Sequence, residues 1–191
     1  MSRWQPEARG RLERAAMELF GERGFEQTTV AEIAARAGLT ERTFFRHYSD
    51  KREVLFGGSS GFSGLLMQSI ADAPAGATPI DTIAAALATA GELFADRLDH
   101  ARRRQRIIDA HADLQERELI KLASLAASLA EALRQRGVGD PAARLAAEAG
   151  VAVFKVAFDR WIELSNTASL SDIIRESLDE LKAVTAGNER R

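Results

Sequence analysis

The stretch from Thr28 to Lys51, TTVAEIAARAGLTERTFFRHYSDK, constrains this chain more than any other, because position after position in it specifies two short helices and a tight turn. Thr29 and Glu32 have capping-box spacing, the threonine side chain facing the Glu32 amide and the glutamate reaching back. Val30, Ile33, Ala34 and Ala37 recur at helical spacing and give the first helix one apolar face. Gly38 supplies the left-handed backbone that a chain reversal needs. Thr40 caps a second helix that turns Phe44 and Tyr48 inward and Glu41, Arg42, Thr43, Phe45, Arg46 and His47 outward. Ala34, small and four residues before Gly38, marks the crossing point and admits the steep angle of a helix-turn-helix. The spacing alone is shared by any small helical domain with an A-x-x-x-G turn between capped helices.

Strand signals are few elsewhere, with little alternation and β-branched residues scattered inside helical periods, so the expectation is an all-α chain. Its 191 residues suffice for a small domain plus a medium one. Cysteine is absent, which excludes a disulfide framework, a thiolate metal site and a cysteine nucleophile. The first residues, MSRWQPEARG, carry no apolar run of the signal-peptide kind, and Val54–Ala71 is too rich in Gly, Ser and Gln for a membrane span, so a cytoplasmic location is expected. The net charge of −2 argues against nucleic acid only as a sum. Between Arg36 and Arg52, the bases Arg36, Arg42, Arg46, Lys51 and Arg52 stand against the acids Glu41 and Asp50, a local basic excess.

In chain order, Glu7–Arg23 reads as a first helix with Leu12, Ala15, Ala16, Leu19 and Phe20 on one stripe; Gly24 ends it and Phe25 plugs the core. Arg3 and Trp4 ahead of it read either as an arm along DNA or as a frayed terminus. Lys51 opens a fourth helix in which Gly57, Gly58, Gly61 and Gly64 should weaken, bend or break the run, each interior glycine costing ~1 kcal/mol relative to alanine. Close packing and a soft joint are both open as the reason. Asp72–Pro79 is a loop. A helix from Ile80 to about Leu98 follows. The run Arg102, Arg103, Arg104, Arg106 reads as a solvated face among Asp96, Asp99, Asp109 and Asp113, with a second DNA contact as the rival. Leu114–Arg136 is a long amphipathic helix with Leu119, Leu122, Leu125, Ala126, Leu129 and Leu133 on its stripe. Asp140 and Pro141 start Pro141–Leu164, with the aspartate as cap. The apolar residues of that helix point around most of its circumference, so it must be covered on more than one side. Ser169 to about Thr185 closes the chain. A self-interface is expected from Val151, Phe158, Ile162, Ile173, Ile174, Leu178 and Leu181, with a monomer that covers them itself as the alternative.

Thr28–Lys51 resembles the DNA-binding signature of the tetracycline-repressor (TetR) family of bacterial transcriptional regulators, along TTVAEIAARAGLT and again along TFFRHYSDKREVL. The resemblance extends through the preceding helix. It implies an N-terminal three-helix DNA-binding domain over residues 1–50 and a helical effector-binding and dimerisation domain over 51–191. It further implies a homodimer, its last two helices paired across a two-fold axis, that acts as a repressor on a palindromic double-stranded operator and is released by a small-molecule effector. By resemblance Thr29, His47 and Lys51 align with positions that hold the DNA backbone. Thr29 and Thr40 start helices whose amide ends can receive phosphate. Arg42, Thr43 and Arg46 suit base edges, since Arg grips guanine O6 and N7 and Thr meets a thymine methyl. Two residues depart from the pattern. Phe45 stands where the family often has tyrosine, losing a hydroxyl contact. Glu41 sets a carboxylate at the start of the second helix, where it stabilises the helix dipole or accepts from cytosine N4.

Family members hold an effector among the middle helices. The candidate lining here is Phe62, Leu66, Phe94, Leu98, His111, Leu122, Phe154 and Trp161, although large apolar side chains at helical spacing belong in a core anyway, and plain core is the reading that their residue types favour. Asp96 and His100 lie about one turn apart, but two ligands without a third make no metal site, and an ion pair accounts for them. No cofactor is expected, and no acid–base pair or nucleophile has a supporting context for an enzyme. The rival class is a helical binding protein that has lost operator recognition, with Glu41 and Phe45 as its support.

Overall fold

A computed structural model describes residues 5–186, so Arg3 and Trp4 lie outside the described residues. Every regular element among these is helical: α1 Gln5–Arg23, α2 Val30–Arg36, α3 Glu41–His47, a 3-10 turn Arg52–Phe56, α4 Ser59–Ala71, α5 Pro79–Gly91, a 3-10 turn Glu92–Phe94, α6 Leu98–Asp109, α7 Ala112–Gln135, α8 Asp140–Ile162 and α9 Leu170–Thr185. None of these helices is long and apolar enough to cross a membrane.

The chain divides into two compact units. The first is Met1–Ser59 with Arg102–Glu118; the second is Ser60–Ala101 with Leu119–Arg191. The first unit therefore runs past residue 50 and takes in a distant segment. Its core joins Leu12, Leu19, Phe20, Phe25, Ile33, Phe44 and Phe56 to Ile108 and Leu114. In the second unit α5, α8 and α9 pack on one another, around Ile83, Leu87, Val153, Trp161 and Ile174. Gly150 on α8 lies so close to Ile83 that a Cβ would collide with that side chain.

The expected fourth helix forms in two pieces. Asp50 Oδ1 accepts from the amides of Arg52 and Glu53 at 2.8 and 3.1 Å and starts the 3-10 turn; Gly57 and Gly58 then separate that turn from α4. At Gly57 the missing side chain is a packing requirement, because a Cβ would lie 2.8 Å from Tyr48 Oη. At Gly58, Gly61 and Gly64 nothing stands within 4 Å of an added Cβ, so no close contact among the described residues accounts for them.

Other differences have local causes. The helix expected to reach Leu98 stops at Gly91, whose bare Cα lets α9 approach: an added Cβ would sit 3.2 Å from Ser171 N. Ser171 Oγ donates to Ala88 O at 2.6 Å in the same contact. The α8 cap is Gly139, and Asp140 occupies the first turn, paired with Arg134 at 2.7 Å. Leu119, placed on the buried stripe of α7 by its spacing, is 59% exposed.

Arg104 is not on a solvated face. Its Nε donates to Leu55 O at 2.7 Å, and its guanidinium pairs with Glu118 at 3.1 Å over the Phe56 ring. Burial lowers its pKa from the usual arginine value, against the pull of Glu118.

Candidate nucleic-acid interface

The first unit presents α3 through a set of short-range devices. Thr29 Oγ1 accepts from the Glu32 amide at 3.2 Å and Glu32 Oε2 accepts from the Thr29 amide at 2.9 Å, a complete capping box. Arg23 holds the other Glu32 oxygen at 2.7 Å. At the far end of α2, Gly38 has φ 64°, with Leu39 N–H donating to Ala34 O and Gly38 N–H to Ala35 O, the paired bonds of a Schellman stop. Thr40 Oγ1 caps α3 by accepting from Thr43 N at 3.2 Å. Phe44 is fully buried and Tyr48 nearly so, which fixes the rotation of α3 about its axis. Glu41, Arg42, Phe45 and Arg46 are consequently exposed, with Thr43 and His47 half-buried.

The basic excess sorts into committed and uncommitted charges. Arg36 is held by Glu22 at 2.9 Å and Glu18 at 3.3 Å. Arg52 is paired with Asp50 and Asp113. Lys51 Nζ donates to the carbonyls of Phe25, Glu26 and Thr28 at 2.8, 3.0 and 3.2 Å. Arg42 and Arg46 remain on the exposed face of α3, outside the ion pairs found among the described residues. The Thr29 hydroxyl is spent on its capping box, where it also meets Glu32 Oε2 at 3.0 Å, and the Thr43 and Thr40 hydroxyls meet each other at 3.1 Å.

His47 lies between these groups. Its pKa is lowered from the usual imidazole value first by burial, then by the charges of Arg46 and Arg9, and its Nε2 is closed off with no hydrogen-bond partner among the described residues. Phe45, 55% exposed, packs edge-on against Phe44 with ring centroids 5.5 Å apart.

Sequence reasoning missed a support behind α3. Tyr48 Oη donates to Glu13 Oε1 at 2.7 Å and accepts from Arg9 Nε at 3.2 Å, while Arg9 also donates to the Gly57 carbonyl. Burial, followed by Glu13, raises the Tyr48 phenol well above its usual value, so it stays neutral. The signal was too dispersed to read, because the partners stand 35 and 39 residues apart.

The proposed effector residues fall into two groups. Phe62, Phe94, Trp161 and Phe154, joined by Phe158, close a ring of aromatic contacts in the second unit, with successive centroids 5.4–6.0 Å apart. Leu66 is fully buried, and Leu98 and Leu122 pack on the same core. Leu98 and Trp161 also line a surface groove of about 490 Å³ walled by Asn166–Asp172 and Arg175. His111 is in the other unit: its ring stands edge-on to Phe25 at 5.0 Å, and Nδ1 meets Ile107 O at 2.7 Å. It packs against the core of the first unit.

The expected self-interface is also divided. Val151, Ile173, Ile174 and Leu178 are buried within the chain's own core, whereas Phe158, Ile162 and Leu181 are only partly covered. Val151, Ile173, Ile174 and Leu178 fill the contact among α5, α8 and α9, and that contact takes up part of the apolar surface of α8 and α9. On α8 the large outward apolar residues are Leu145, 72% exposed, and Val156, 49% exposed.

Comparison with known proteins agrees with this geometry. Residues 13–56 match the family described as bacterial regulatory proteins, tetR family, and residues 77–186 match the MftR C-terminal domain. The chain is 26% identical over 171 residues to a Mycobacterium tuberculosis protein named as a mycofactocin biosynthesis transcriptional regulator, MftR, covering 88% of this chain and 86% of that one. It is 37% identical over 78 residues to the transcriptional regulator TcmR of Streptomyces glaucescens; that match covers 41% of this chain and spans about a third of the relative's length, 34%. Among solved structures, the repressor FadR of Thermus thermophilus in complex with lauroyl-CoA superposes with a TM-score of 0.56 at 25% identity, covering 96% of each chain. The chain belongs to the tetR family of bacterial transcriptional regulators, DNA-binding proteins rather than enzymes, with a C-terminal domain of the MftR type.

Proposed function

We propose that this chain is a repressor that binds a palindromic operator as a homodimer and is released by a small-molecule effector. The observation that carries the reading is the outward face of α3, where Arg42 and Arg46 stand exposed on a helix whose rotation is fixed by buried Phe44 and Tyr48. Two such helices related by a two-fold axis would enter successive major grooves ~34 Å apart. Arg42, Thr43 and Arg46 would read base edges, and Phe45 would give ring or methyl contact where a tyrosine would bond phosphate. Thr29, Thr40, His47 and Lys51 were expected along the phosphates. Of these, Lys51 is turned toward backbone carbonyls, and this limits its reach.

For the dimer, the surface that favours self-association is the α8 stripe Leu145, Ala149, Ala152 and Val156, set at helical spacing, together with partly covered Phe158, Ile162 and Leu181. For the effector, the aromatic ring Phe62–Phe94–Trp161–Phe158–Phe154 favours a molecule with a long apolar part, and the similarity to a FadR bound to lauroyl-CoA supports that choice. Such a molecule shifts the protein from its DNA-binding state only by as much as it binds the other state more tightly. A cytoplasmic location accords with this role.

The test is selection of bound duplexes from a random pool by purified full-length protein at physiological salt. An enriched inverted repeat, released by an acyl-CoA, supports the reading. A folded dimer that enriches nothing would leave a helical binding protein without an operator.

A further inference from the structure

Lys51 is expected by family resemblance to hold a DNA phosphate, and its surroundings describe a different task. The ammonium has three donors. Three carbonyl oxygens, those of Phe25, Glu26 and Thr28, lie 2.8, 3.0 and 3.2 Å from Nζ. The same nitrogen stands 4.5 Å from the centroid of the Phe25 ring. The segment that it gathers is also closed by Thr28, 1% exposed, whose Oγ1 donates to Gly24 O at 2.8 Å, and by Phe25, wedged between Phe20 and His111 with centroids 5.1 and 5.0 Å away. This segment delivers the chain into α2, and α3 packs on α2.

We infer that Lys51 is a positioning residue for operator binding: it gathers the carbonyls of residues 25–28 and so sets α2 and the presentation of α3, rather than contacting phosphate itself. The inference rests on the reading of α3 as the operator helix. The three carbonyls converge on the point that the Lys51 ammonium occupies, and the longer, planar guanidinium of an arginine placed there would have to shift its stem or the segment to use the same oxygens. Arginine would nevertheless serve a phosphate well. The two roles therefore diverge in the charge-conserving variant.

The experiment measures affinity of full-length wild type, Lys51→Arg and Lys51→Met for the selected duplex across a salt series, with thermal melting and amide exchange on the free proteins. Both variants are expected to bind on the order of tenfold more weakly at any one salt, as follows from losing several charge-assisted hydrogen bonds. Their salt slopes should match wild type, and the amides of Thr28 and of α2 should exchange faster. A Lys51→Met slope shallower by about 0.9, with Lys51→Arg on the wild-type line, would make Lys51 a phosphate contact and overturn the inference. A folded variant that melts lower yet binds as wild type would overturn it too, since Lys51 would then serve stability alone. If Lys51→Met fails to fold, Lys51→Arg and its exchange pattern still decide. Wild type that binds no duplex removes the operator reading and this inference with it; normal wild-type binding with a shallower variant slope removes the inference alone.

Discussion

Arg42 and Arg46 differ from Arg36 and Arg52 in making no ion pair among the described residues. Truncating Arg42 to alanine should therefore cost ~1–3 kcal/mol at one base position and relax selectivity there. A systematic set of single-base operator changes would show it; uniform weakening across all duplexes would make Arg42 a phosphate contact. His47 gives the second residue-level prediction. Its depressed pKa leaves the ring neutral at pH 7, and phosphates drawn to neighbouring Arg46 would raise it, so binding takes up a proton. Duplex affinity should then rise as pH falls from about 7.5 toward 6, and His47→Gln should flatten the profile. Stability of the free protein runs the opposite way. A folded pKa below the unfolded one contributes stability above the unfolded value, and that stability is lost as pH falls through the folded value. Such residue roles were legible where the cause is local: Thr29, Gly38, Thr40 and Phe44 sit where spacing placed them. They were illegible where the partner is remote, as with Lys51, whose acceptors lie 23–26 residues back, and Arg104, whose acceptor carbonyl is 49 residues away.

At the scale of elements, the glycines between the 3-10 turn and α4 separate by environment. Gly57→Ala should lower the melting temperature, because the new Cβ must displace Tyr48 Oη and Glu13, which form the support behind α3. Gly61→Ala and Gly64→Ala should raise stability, each by about 0.5–1 kcal/mol, since α4 gains helix propensity and nothing among the described residues opposes the methyl. Thermal melting of the three variants checks the contrast. A drop at residue 61 or 64 would place another surface against α4. The glycine pattern announced a break in the sequence, and a break occurs. Which glycine is packed and which is free could not be read, because the answer depends on a tyrosine and a glutamate from other elements. Helix ends showed the same division: α2 and α7 stop at glycines that sequence marked, while α5 stops at Gly91, where α9 packs closely against it.

The whole molecule was legible as helical and as two-part, but not in how the parts are composed. The apolar excess on α8 and α9 suggested a self-interface, and much of it proves to be the chain's own core. Leu145→Glu and Val156→Glu should therefore yield a helical monomer if α8 carries the dimer, as sedimentation velocity would show. Ile174→Ala, in contrast, should destabilise the fold itself by ~2–5 kcal/mol. The expected boundary at residue 50 missed the segment Arg102–Glu118 because its contribution, Ile108 and Leu114 beneath the helix-turn-helix, is spatial and leaves no mark in local composition. That composition orders events during synthesis. When the ribosome has released residues 1–59, the DNA-binding unit still lacks part of its core, and it cannot close until some sixty further residues have emerged. An isolated fragment of residues 1–58 should accordingly show helical propensity without a cooperative melting transition, and adding residues 102–118 in trans or by fusion should restore one. In a chain of this design the helix-turn-helix unit is completed only after much of the second unit has been synthesised.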